Sequence, residues 1–294
     1  MNSPLISVGL PLALAVVMFG LGLSLTTADF TRIAKSPRVV AIALACQLIA
    51  LPVIAFGLVL LFDLEPILAV GMMLLAASPG GTTANLFSHL FRGDVALNVS
   101  LTAVNSVIAV ATVPLVTNFA IDYFDPAGSG DSVGLQFGKV VQVFAIVLVP
   151  VGIGMLVRRW APAFAERMDR PVRIGSAVIL LLVIVGSLTA ESEDFSAHFP
   201  KIGAITVLFC VISLTIGFFV PRLLGATGRQ SIACSMEVGV HNSTIAITIA
   251  LSVLDSTEMA VPAAIYGILM FPTAAVFGFL ITRRRTRTAV AAAE

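Results

Sequence analysis

The chain has 294 residues, of which 58% are hydrophobic and only 11% charged, and its mean hydropathy is +1.05. Ordinary soluble domains carry about 25% charged residues, so this composition excludes a soluble single-core protein and predicts an all-α polytopic membrane protein. The formal net charge of +1 identifies no partner; the placement of the charges along the chain is informative instead.

About 20 apolar residues suffice for a spanning helix. Nine such windows occur, at roughly 5–25, 38–61, 66–90, 95–120, 138–157, 172–190, 201–221, 231–253 and 260–281. The start, MNSPLISVGL, has no basic n-region, so it reads as the beginning of the first span and not as a cleaved signal. The connections alternate in sign. Arg32, Lys35 and Arg38 follow the first span, Asp63 and Glu65 the second, and Arg92 the third. Asp122, Asp125 and Asp131 follow the fourth, five arginines from Arg158 to Arg173 the fifth, and Glu191, Glu193 and Asp194 the sixth. Arg222 and Arg229, then Asp255 and Glu258, and last Arg283 to Arg287 complete the pattern. With the basic connections inside, 15 of the 17 Lys and Arg are cytoplasmic, as the positive-inside rule requires. This predicts a plasma (inner) membrane protein with its N-terminus outside and its C-terminus inside. The RRRTR tail reads as a juxtamembrane anchor and not as a nucleic-acid patch. Cys46, Cys210 and Cys234 lie in apolar runs and suggest neither disulfides nor a metal cluster.

Two spans carry breaks. In the third, SPGGTTANLF (78–87) places Pro79, Gly80 and Gly81 at membrane depth. Proline removes a helix donor and glycine tolerates an unwound turn. Backbone freed there must line a cavity or be buried in protein. In the eighth, MEVGVHNST (236–244) combines Gly239 with a run of polar residues. The breaks lie five spans apart, so the two helices run in opposite directions, as corresponding elements of inverted repeats do. Paired interrupted helices mark a transporter's binding site.

Glu237 is the only acidic residue within the long apolar runs. A carboxylate at that depth costs about 2.5–3.5 kcal/mol even on a lenient scale. A bound cation would compensate it; protonation among polar neighbours is the plainer alternative. Asn98, Thr102, Asn105 and Ser106 on the fourth span, the last three on one face, and Gln47 on the second add intramembrane oxygens. They suit either a cation or interhelical hydrogen bonding.

At SPGGTTANLFSHLFRGDVALNVSLT (78–102), MEVGVHNS (236–243) and MFGLGLSLTTADF (18–30), the sequence resembles the bile acid:sodium symporter family over nearly its whole length. The resemblance implies a nine-helix inverted-repeat transporter with two broken, crossing helices, spans 3 and 8. It implies a core domain at about 38–120 and 201–281 and a panel domain at about 5–25 and 138–190. It implies one or two sodium ions: one site at Asn85, Asn98, Thr102 and Glu237, with the position of Ala84, and another at Gln47, Glu237, Val238, Val240 and His241. Thr82, Thr83 and Asn242 match positions near the substrate. Three residues depart from the family pattern: Ala84 and Asn98 stand where serine is common, and His241 where glutamine is common.

The expectation is a sodium-coupled symporter of an organic anion, a small carboxylate or a bile-acid-like molecule, working by alternating access. A proton-coupled carrier or efflux exchanger on the same fold is the alternative. An enzyme is not expected: Ser235, Glu237, His241 and Ser243 are close in sequence but form no catalytic motif. A channel would need a continuous pore lining, which the sequence does not show.

Overall fold

The computed structural model describes residues 36–126, 137–168 and 192–291, with short pieces between 15 and 26 and single residues at 171 and 175. Its labelled helices are α1 (Pro37–Leu61), α2 (Pro66–Ala77), α3 (Thr82–Leu90), α4 (Val95–Phe124), α5 (Phe137–Trp160), α6 (Ser192–Leu223), α7 (Gly228–Gly239), α8 (Ser243–Ser252) and α9 (Val261–Ala291). Among the described residues, four stretches are long and apolar enough to cross a membrane: Pro37–Leu61, Val95–Phe124, Pro200–Leu223 and Glu258–Arg283. No strand occurs among them.

These helices match the sequence windows with informative differences. The third and eighth windows each divide, into α2 with α3 and α7 with α8. The seventh is longer than its apolar window, because α6 begins at Ser192 and takes Glu193 and Asp194 into its first turn. The first window is helical where described, at 15–16, 18–20 and 22–23. The sixth, 172–190, lies outside the described residues except for Gly175, and so does the full count of nine.

Inside α1 the residues Cys46–Ala50 form one wide π turn. Pro52, two residues beyond it, lacks an N–H and would press on the carbonyl four residues back. Widening the turn by one residue relieves this, and such bulges recur at functional sites. The bulge contains Gln47.

Packing is organised around the broken helices. α7 lies against α3, α4 and α6, while α8 lies against α9. α2 is packed between α1, α4 and α9, and ten of its twelve residues are buried. Caps fix the entry points. Thr227 and Gln230 form a reciprocal capping box at the start of α7. Asp94 accepts from Leu97 N (3.1 Å) at the start of α4, and its own N–H donates to Arg229 O (2.9 Å), tying the two starts together.

The first window crosses α5 at two glycines. A Cβ on Gly154 would strike the carbonyl oxygen of Phe19, and one on Gly22 the carbonyl oxygen of Val151. Backbone cannot give way as a side chain can. Gly154→Ala is therefore expected to cost about 1–3 kcal/mol as overpacking. Gly152→Ala, two residues away with open space around its Cβ, should be neutral or slightly stabilising. Melting temperatures of the two purified variants make the comparison; equal values would contradict the crossing.

Candidate functional site

The site lies where the two breaks meet. After α2, the chain runs extended through Ser78 (ψ 143°) and Gly81 (ψ 156°) before α3 begins. After α7, Val240 leaves the helical conformation (φ −114°, ψ 86°), and Asn242 starts α8 by accepting from Ile245 N (3.3 Å) through its side-chain oxygen. The two broken pieces pair antiparallel at Gly80 and His241. Gly81 N donates to Val240 O at 2.7 Å and Asn242 N to Pro79 O at 2.8 Å. Backbone groups released by one break are thus satisfied by the other, which an unspooled chain in hydrocarbon requires.

Glu237 sits in the last turn of α7, just before its break, and is only 2% exposed. Three side chains from successive turns of α4 face its carboxylate. Asn98 Nδ2 donates to Oε2 at 2.8 Å, Thr102 Oγ1 donates to Oε2 at 2.5 Å, and Asn105 Nδ2 approaches Oε1 at 3.5 Å. The carboxylate also lies against Gly80, where any Cβ would overlap it. The spacing of 98, 102 and 105 puts all three on one face of a continuous helix, so a rigid rod presents the donors to a broken one.

Two of the amides at this carboxylate carry buried oxygens with no protein partner, Asn98 Oδ1 and Asn105 Oδ1; Asn85 Oδ1, on α3, is likewise buried without a partner. An unsatisfied buried polar group costs about 1–3 kcal/mol. A cluster of them beside a buried carboxylate is an all-oxygen donor set, and hard cations take oxygen ligands. Ala84, fully buried, contributes no side-chain oxygen.

The residues of the second sodium reading gather less tightly. Gln47 Nε2 donates to Ser78 O at 3.0 Å, joining the π bulge of α1 to the first break, while its Oε1 has no partner. Val238 and Val240 are fully buried, and the Val240 carbonyl already accepts from Gly81. The His241 ring stacks on Phe209 (5.5 Å between centroids, 10° between planes) and tilts against Tyr266 (5.3 Å, 45°). Neither of its nitrogens has a protein partner. Tyr266 donates to Gly239 O at 2.8 Å, and Cys210 Sγ approaches the same oxygen at 3.6 Å, bracing the end of α7.

Of the substrate positions, Thr83 is half-buried in the first turn of α3 and Asn242 is half-buried and caps α8. Thr82 begins α3, and its side chain lies outside the described residues. Sequence reasoning placed Asn105 on the right helical face without placing it at the carboxylate. Phe209, Cys210 and Tyr266 it missed altogether; they are apolar or small residues on other helices, with no local signal.

The profile of the sodium bile acid symporter family matches residues 11–198, more than half of the chain and including the first break. The chain belongs to the sodium bile acid symporter family. It is a multi-pass membrane protein of a transporter family. It is 27% identical over 288 residues to the human ileal sodium/bile acid cotransporter, covering 96% of this chain and 81% of the relative. It is 28% identical over 255 residues to the uncharacterized sodium-dependent transporter YocS of Bacillus subtilis (strain 168), covering 87% and 77%. It is also 25% identical over 257 residues to the rice chloroplastic probable sodium/metabolite cotransporter BASS2, covering 87% and 60%.

Proposed function

We propose that this chain is a sodium-coupled secondary active symporter of an organic anion, working by alternating access. The observation that carries the proposal is Glu237: a buried carboxylate at the crossing of two broken helices, flanked by Asn98 and Asn105, whose buried side-chain oxygens have no partner. Named relatives that are sodium/bile acid and sodium/metabolite cotransporters support the choice of ion.

One sodium ion is held by Asn85, Asn98, Thr102 and Glu237, and a second by Gln47, Glu237, Val238, Val240 and His241. The anion lies on the other side of the crossing, near Thr82, Thr83 and Asn242, where the N-termini of α3 and α8 offer free N–H groups and partial positive charge. Nine spans form an inverted repeat, with a core at 38–120 and 201–281 rocking against a panel at 5–25 and 138–190. The protein sits in the plasma membrane with its N-terminus outside and its C-terminus in the cytoplasm.

Charge explains the coupling. Glu237 and a monoanion together carry two negative charges, and two sodium ions neutralise them, so the loaded site passes apolar walls at lower cost. Among the described residues no Lys or Arg stands at the crossing, so the anion is gripped by backbone, hydroxyls and helix ends; a modest carboxylate such as a 2-oxo acid, or a bile-acid-like molecule, suits that.

Reconstituted protein should accumulate its anion only with an inward sodium gradient. If two ions accompany each monoanion, an imposed negative-inside potential should accelerate uptake. Uptake that depends on sodium but not on potential would reduce the stoichiometry to one ion. Uptake indifferent to sodium and driven by a proton gradient would replace the proposal with proton coupling.

A further inference from the structure

We propose that Asn105 is an additional cation ligand in this site, held ready by its own amide. This rests on the sodium-site reading above and adds to it a residue outside the ligand sets already given.

The observations are geometric. Asn105 is 1% exposed and lies on the α4 face that also carries Asn98 and Thr102. A carboxylate can only accept, so the amide nitrogens of Asn98 and Asn105 both face Glu237 and their oxygens face away. The two amides are not held equally. Asn98 Nδ2 lies 2.8 Å from Oε2, and Thr102 reinforces the same oxygen at 2.5 Å. Asn105 Nδ2 reaches Oε1 only at 3.5 Å, the limit of a hydrogen bond. Oε1 is therefore the oxygen less fully served by α4. The amide nearest to it is the one most easily turned, and Asn105 Oδ1 has no partner to lose.

A cation arriving at Oε1 displaces this weak donor. Rotation of the Asn105 amide about its Cβ–Cγ bond then replaces Nδ2 with Oδ1, a neutral hard oxygen suited to sodium. Without the ion, the same residue faces Glu237 with an N–H. The site thus exchanges a donor for a ligand with one torsion, while Asn98 and Thr102 keep Oε2 fixed.

The test is sodium titration of the melting temperature of the purified full-length chain, with lithium in parallel, for Asn105→Leu, Asn105→Asp and Glu237→Gln. Asn105→Leu should weaken the sodium midpoint at least tenfold and change the sodium-to-lithium ratio. Asn105→Asp retains an oxygen and should stay within about threefold of the parent. A sodium midpoint unchanged in Asn105→Leu overturns the proposal, as does an equal loss in Leu and Asp, which would assign Asn105 only a packing or donor role. If the Leu variant does not fold, Asn105→Ala is titrated instead, with the same tenfold weakening expected and an unchanged midpoint again overturning the proposal. Glu237→Gln separates the two levels. A sodium response that survives in it defeats the site reading itself; a response lost in it but intact in Asn105→Leu defeats only the present inference.

Discussion

Glu237→Gln is expected to abolish the sodium-specific stabilisation of the protein and its sodium-driven transport while leaving the fold intact. Among the described residues the carboxylate is the only formal negative charge gathered at the crossing, and it accepts from Asn98, Thr102 and Asn105. An amide in its place removes the charge. It also turns one acceptor into a donor that faces other donors. Cation affinity should fall at least 100-fold. Sodium at 100 times its dissociation constant stabilises the wild type by about 2.7 kcal/mol, and that increment should vanish. In potassium, by contrast, the variant should melt at or above the wild-type temperature, because an uncompensated buried charge is costly. Melting scans in the two salts read both effects. A sodium-induced rise that persists in Glu237→Gln would place the cation elsewhere.

Gly80→Ala should be nearly as damaging, by a different route. Its methyl group would overlap the Glu237 carboxylate, and hydrogen bonds from Asn98 and Thr102 hold that carboxylate in place. Relief requires the crossing to open, with loss of the paired bonds Gly81 N to Val240 O (2.7 Å) and Asn242 N to Pro79 O (2.8 Å). Overpacking of this kind costs about 1–3 kcal/mol, and transport should be lost outright because both breaks move. Gly57→Ala, in α1 with nothing near its Cβ, should instead be neutral or stabilise by up to about 1 kcal/mol through helix propensity. The double variant Gly80→Ala with Glu237→Asp supplies a stricter check. The shorter acid makes room for the methyl, so its melting temperature should recover part of the single-variant loss. Purely additive losses would show that the two residues do not touch.

Much of this was legible in the chain alone, because the bilayer is a severe solvent. Apolar length, the alternating sign of the connections and the two Gly-containing breaks follow from local composition, and so does the anomaly of Glu237. The resemblance carried by residues 78–102 and 236–243 led to the same family that the profile and the relatives show. Element ends were less legible. Glu193 and Asp194 read as a loop and are helical, since a charged first turn and a solvated loop have the same composition. The π turn at Gln47 left only the faint trace of Pro52.

By itself, then, the sequence determined that this protein is helical, membrane-embedded and interrupted twice, with one carboxylate at depth, because each of these is a property of consecutive residues. Tertiary structure decided what those features do to one another. Only folding pairs Gly80 with His241 across 161 positions of chain, sets three turns of α4 against Glu237, and gathers His241, Phe209 and Tyr266 into one ring cluster. The physical reason is that a backbone group or carboxylate stripped of water accepts whatever partner packing brings. That partner sits on another helix, at a distance along the chain over which no local pattern extends.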